Sequence, residues 1–119
     1  MENKEFGKLF EIRTKKFAIE IIKLSASMNF TTESKVIKNQ ITKSGTSIGA
    51  NYREANRSRS KADFVSKIKI CESETSETIY WLEIIDELQW VECGGLKIIL
   101  KEASEILAIL TSISKNLKI

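Results

Sequence analysis

Apolar side chains recur along the chain at the three- and four-residue spacing that places them on one face of an α-helix. The spacing predicts a first helix over residues 4–28, whose apolar stripe is interrupted only at Thr14. The stripe consists of Phe6, Phe10, Phe17, Ile21, Leu24 and Met28. Thr32 followed by Glu33 then predicts the N-cap of a second helix, because a hydroxyl cap and an acid in the first turn satisfy free backbone N–H groups.

The second helix is predicted over residues 33–56, with Asn51 or Tyr52 filling one turn of its inner stripe. The rest of that stripe is Ile37, Ile41, Ser44, Ile48 and Ala55. Gly45 and Gly49 make the middle of this helix thin, at a cost of about 1 kcal/mol each relative to alanine. A phosphate-binding loop is the alternative, but the Walker lysine spacing and the dinucleotide fingerprint are both missing. The glycines therefore favour close approach of the backbone to another helix.

Two more helices follow. Ser60 or Ser58 is the expected N-cap of a third helix over residues 61–88, and the fourth helix is predicted over residues 95–116. The inner stripe of the third helix is Phe64, Ile68, Cys71, Thr75, Thr78, Leu82 and Ile85. The fourth helix has a seam of alternating three- and four-residue steps: Leu96, Ile99, Ala103, Ile106, Leu110, Ile113 and Leu117. Threonines in the third stripe suit a crossing with small residues opposite.

Four amphipathic helices with short connections predict an all-α, antiparallel up-down-up-down four-helix bundle. The chain has 119 residues, no proline and five glycines. That length fits a single domain, here residues 1–119, and the scarcity of turn residues argues against a β-rich fold.

The amino-acid composition argues against several classes of function. The chain has no histidine and only two cysteines, so a four-ligand zinc site and a histidine general base are both missing. Cys71 and Cys93 are expected to be small buried hydrophobic residues. We expect no enzymatic activity, no metal and no cofactor. No apolar run approaches the roughly 18 residues of a membrane span, and no signal peptide is visible, so the expected location is the cytoplasm.

Charge is unevenly distributed. Residues 1–70 contain 15 Lys/Arg against 7 Asp/Glu, whereas residues 71–119 contain 4 against 9. The densest cationic run lies at the corner between the second and third helices, where Glu54 and Asp63 are the only acids. It consists of Arg53, Arg57, Arg59, Lys61, Lys67 and Lys69. Such a corner suits contact with phosphates, pairing with an acidic surface of another subunit, or simple solvation, and the residues alone do not decide among them.

Three polar residues are candidates for an internal structural network. Glu54 and Glu77 are the carboxylates expected to point inward, and Asn51 can supply a donor beneath the thin part of the second helix. Buried polar groups require such partners.

The middle of the chain, residues 44–85, resembles the four-helix bundle proteins of the 23S rRNA intervening-sequence family. The marks of this resemblance are Ser47-Ile48, Asn51, Glu54, Ser60-Lys61, Asp63-Phe64, Glu77 and Tyr80-Trp81-Leu82. Tyr52 and Ala55 depart from the pattern, since many members have isoleucine and glycine there.

The resemblance implies a bacterial, cytoplasmic bundle that assembles into a homopentamer and has no enzymatic activity. It also implies a relation to the accessory variability determinant of diversity-generating retroelements, which associates with a reverse transcriptase and nucleic acid. The leading hypothesis is a homo-oligomeric scaffold or accessory protein that binds RNA or DNA through Arg53, Arg57, Arg59 and Lys61. The alternative is a protein–protein interaction module without nucleic-acid binding.

Overall fold

The computed structural model describes residues 4–117 and has the predicted architecture, an antiparallel up-down-up-down bundle of four helices. The helices are α1 (Lys4–Ser27), α2 (Thr32–Ala55), α3 (Lys61–Leu88) and α4 (Cys93–Asn116). α2 packs against α1 and α3, and α3 packs against α4, whereas α1 and α4 touch less extensively. α1 and α3 therefore lie diagonally across the bundle.

Side-chain caps fix where α2 and α3 begin. The predicted cap of α2 is wrong by one residue: Thr31 Oγ1 accepts from the backbone N–H of Ser34 (3.0 Å), and Ser34 Oγ accepts from that of Thr31 (2.8 Å). This reciprocal pair satisfies two of the free donors at the helix start. At α3 the prediction is confirmed, since Ser60 Oγ accepts from the backbone N–H of Asp63 (3.0 Å).

The predicted apolar stripes form the core. Its fully enclosed side chains include Ile21, Ile41, Ile48, Ile68, Leu82, Ile85, Leu96, Ile106 and Leu110. Tyr52, rather than Asn51, occupies the open turn of the α2 stripe, fully buried and in edge-to-face contact with Phe10 (ring centroids 4.7 Å apart). This geometry is among those that aromatic pairs prefer.

The thin middle of α2 lies against both of its neighbours, as the small residues predict. A β-carbon on Gly49 would lie 3.1 Å from Thr14 Oγ1 of α1. On the other side, the buried hydroxyls of Ser44 and Thr78 of α3 are hydrogen-bonded at 2.9 Å. The glycines are therefore sites of close helix packing.

The two cysteines differ. Cys71 is buried, and its thiol donates to the carbonyl of Ile48 (3.4 Å), as expected of a small core residue. Cys93 is exposed, so the expectation of burial is wrong there. The reason is positional: α4 begins at Cys93, before the first buried residue of that helix, Leu96.

Candidate nucleic-acid interface

The four predicted phosphate contacts, Arg53, Arg57, Arg59 and Lys61, are all exposed. They lie where the chain leaves α2 and enters α3. The backbone N–H groups of Arg57 and Ser58 donate to the carbonyls of Glu54 and Ala55 (both 3.0 Å), which closes the end of α2. The capped start of α3 follows at once, so the four cations belong to one end of the bundle.

Arg57 is partly restrained. Its Nη1 donates to the carbonyl of Arg53 (3.1 Å) and lies 4.0 Å from Glu11 Oε1 of α1. The other oxygen of that carboxylate accepts from Asn56 Nδ2 (2.8 Å). An ion pair this long, with the arginine 58% exposed, contributes little stability, so the guanidinium can exchange Glu11 for another anion.

Arg53 faces a groove between α1 and α2 with a volume of about 340 Å³. Lys15 and Glu11 line the same groove, and Gly49 and Ala50 contribute small residues to it. The structure thus brings Arg53 beside a cation of α1 that the sequence did not connect with the corner. Within residues 4–117, Arg53, Arg59 and Lys61 form no ion pair shorter than 4.0 Å.

The predicted internal network of Asn51, Glu54 and Glu77 is wrong within a single subunit. Glu54 and Glu77 are exposed, and Glu77 accepts from the indole of Trp81 (3.1 Å). Asn51 Nδ2 donates to the carbonyl of Ser47 one turn earlier (2.9 Å).

The reason for that error is the turn of about 100° per helical residue. Tyr52 takes the buried position of α2 and Thr78 that of α3. Their neighbours in the sequence, including Asn51 and Glu77, are therefore rotated away from the core.

A charged cluster that the sequence analysis missed joins α1 to α4. Arg13 Nε and Nη2 donate to the two carboxylate oxygens of Glu102 (2.7 and 2.8 Å), and Nη2 also donates to Glu105 (2.8 Å). The bond from Arg13 holds the pKa of Glu102 below its usual range, although partial burial opposes this shift. The two acids lie three residues apart on one helix face, which is a readable signal, but their partner is 89 residues away.

The described residues contain neither a cluster of metal-ligating side chains nor a helix suited to crossing a membrane. Within residues 4–117, no three His, Cys, Asp or Glu side chains are grouped closely enough to hold a metal ion. Among the described helices, none combines the length and apolar character that crossing a bilayer requires.

Comparison with known proteins found a matching family model and a similar solved structure. A family model described as 23S rRNA-intervening sequence protein matches residues 12–112. A solved structure from Bacteroides thetaiotaomicron, a protein of unknown function from the S23 ribosomal protein family, is 37% identical, with a TM-score of 0.80. The match covers 88% of this chain and 97% of that one. No curated protein matches the chain.

Proposed function

The chain belongs to the 23S rRNA-intervening sequence protein family, and we propose that it acts as a non-enzymatic, homo-oligomeric bundle that associates with nucleic acid in the cytoplasm. One observation carries the nucleic-acid part: Arg53, Arg57, Arg59 and Lys61 are all exposed at one end of the bundle.

The chemistry of the corner fits phosphates better than bases. Phosphate contacts need accessible positive charge, whereas reading bases needs side chains fixed against groove edges. Three of the four residues are arginines, whose planar guanidinium groups match phosphate oxygens with two hydrogen bonds. The corner therefore suits sequence-independent binding to an RNA or DNA backbone.

The test replaces Arg53, Arg57, Arg59 and Lys61 by glutamine and measures affinity for a mixed-sequence single-stranded RNA oligonucleotide over a range of salt concentrations. The variant is expected to bind more weakly. Its slope of log affinity against log salt should be smaller by about 0.7 for each phosphate contact that is lost.

The matched control removes four other exposed cations, Lys23, Lys35, Lys97 and Lys101. Its net charge changes by the same amount, so it should keep most of the affinity if the corner is the binding site. Equal affinities for wild type and the corner variant would contradict the nucleic-acid part of the proposal.

The oligomeric part is supported by apolar side chains that are exposed in a single subunit. Ile12 and Ile19 on α1 are 63% and 43% exposed, and Tyr80 on α3 is 56% exposed. The family resemblance points to five subunits. Native mass spectrometry at several protein concentrations counts the copies directly, and a monomer at all of them would contradict this part.

A protein–protein interaction module is the second candidate, favoured by a groove of about 610 Å³ between α1 and α4. Phe17, Ile98 and Ile99 contribute apolar surface there, and Ile98 is 72% exposed. A partner protein, such as a reverse transcriptase, would occupy this groove. This candidate predicts that purified protein shows no salt-dependent RNA binding.

A further inference from the structure

The outer face of α1 carries a second stripe with the spacing of a helix-packing seam. The α1 outer stripe is Lys8, Ile12, Lys15, Ile19, Ile22 and Ala26. Its steps alternate between four and three residues, and all six side chains are exposed. Heptad spacing of this kind is what a helix presents to a neighbouring helix. The inner stripe of α1 already serves the core, so the outer stripe is left exposed on the surface of the subunit.

α3 has a corresponding outer stripe of opposite charge. The α3 outer stripe is Ile70, Ser73, Glu77, Tyr80, Ile84 and Glu87. Its steps alternate between three and four residues, and five of the six side chains are exposed, Ile84 being half-buried. Glu77 and Tyr80 are held in place through Trp81, which donates to Glu77 and packs edge-to-face on Tyr80 (ring centroids 5.1 Å apart).

The two stripes complement each other in charge. The α1 outer stripe carries two lysines and no acid, whereas the α3 outer stripe carries two glutamates and no cation. Residues 71–92 as a whole contain seven carboxylates and no cation. Because α1 and α3 lie diagonally in the bundle and do not pack against each other, the stripes cannot meet within one subunit. A second copy of the chain supplies the missing partner for each.

We infer that the α1 outer stripe of one subunit packs against the α3 outer stripe of the next, an assignment that rests on the proposed homo-oligomer and names its interface. Apolar side chains of both stripes form the contact, and lysines face glutamates across it. The contact is heterologous, because it joins two different surfaces. Each added subunit therefore exposes the same pair of free stripes until a ring closes.

Charge reversal tests the pairing in three variants of the full chain. The first changes the α1 outer stripe (K8E and K15E), the second changes the α3 outer stripe (E77K and E87K), and the third combines all four substitutions. A matched control reverses two exposed lysines of α4, Lys97 and Lys101, with the same net charge change as the first variant. Subunit number is read by sedimentation velocity and native mass spectrometry, and circular dichroism verifies the fold.

Each single-face variant is expected to dissociate at concentrations at least about tenfold higher than wild type, because like charges then face each other. The combined variant should reassemble, since its reversed stripes again have opposite signs, and the control should assemble normally. If all three variants assembled with the same subunit number and affinity as wild type, the pairing would be overturned, whereas the proposed homo-oligomer would stand. A wild-type monomer would overturn both, and the RNA measurements decide the nucleic-acid part separately.

Discussion

Gly45 of α2 lies against Ile21 of α1 with no room for a methyl group between them. A β-carbon on Gly45 would lie 2.8 Å from Cγ2 and 3.0 Å from Cγ1 of Ile21, which is fully buried. Glycine costs about 1 kcal/mol of helix propensity relative to alanine. The cost is offset because the two backbones approach closely enough to bury the isoleucine.

Gly45→Ala should destabilise the protein even though alanine is the better helix former. Overpacking a full core costs about 1–3 kcal/mol, and the gain in propensity recovers only about 1 kcal/mol of this. Urea unfolding measures the difference. The control is Gly95→Ala, where an added β-carbon would have no heavy atom within 4 Å, and it should be neutral or stabilising. A stabilised Gly45→Ala variant would mean that α1 and α2 can separate without cost.

The hydroxyl pair between α2 and α3 should show energetic coupling. Thr78→Val is expected to cost about 1 kcal/mol, the net value of a typical hydrogen bond, because Ser44 then keeps only a long contact with the carbonyl of Ile41 (3.4 Å). Ser44→Ala leaves Thr78 its bond to the carbonyl of Glu74 (2.8 Å).

A double-mutant cycle measures this coupling by chemical denaturation. The double variant Ser44→Ala/Thr78→Val should cost less than the two single variants together, since no hydroxyl is then left with a missing partner. Strict additivity would show that the two residues do not interact.

The ion pair between α1 and α4 should make the free energy of unfolding depend on pH in the acid range. The folded pKa of Glu102 is lowered by its bond with Arg13, so its contribution is present at neutral pH and is lost as the pH falls through that folded pKa. At neutral pH, Glu102→Gln should cost about 1 kcal/mol.

The difference between wild type and Glu102→Gln should shrink towards zero on acidification below the usual glutamate pKa, roughly 4.3. Unfolding free energies at a series of pH values measure it. Glu83→Gln, at an exposed position on α3, is the control and should show no such trend. A constant difference for Glu102→Gln over the whole range would contradict the assigned role of Arg13.

The two thiols should react at very different rates in the folded protein. Burial raises the pKa of Cys71 to about 12, which keeps it in the unreactive thiol form, whereas Cys93 is exposed. A thiol reagent such as DTNB should label one fast site, and Cys93→Ser should remove it. Cys71 should react only after unfolding, so fast labelling of the folded Cys93→Ser variant would contradict its burial.

Local patterns predicted most of the fold because the core depends on spacing within each helix. The stripes of all four helices, the Ser60 cap and the close approach at Gly45 and Gly49 follow from residues at most one or two turns apart. Such features need no knowledge of which helices are neighbours.

The errors arose where one residue shifts a helix face or where the partner is distant. The periodic pattern allowed Asn51 or Tyr52 to occupy the buried turn of α2. Because Tyr52 is the buried residue, Asn51 and Glu54 are rotated away from the core. The bond between Arg13 and Glu102 requires knowing that the first and last helices meet. The basic corner is exposed in the single chain, and its binding to nucleic acid stays a prediction.

The small residues on one side of α2 also fix the axial alignment of α1 and α2. A shift of α2 by one helical turn in one direction would carry Ile41 into the place of Gly45, against Ile21. A shift in the other direction would press Arg53 onto Thr14, in the place of Gly49. Either one-turn shift therefore places a larger side chain where the two helices approach most closely, so the two glycines favour the observed axial alignment of α1 and α2.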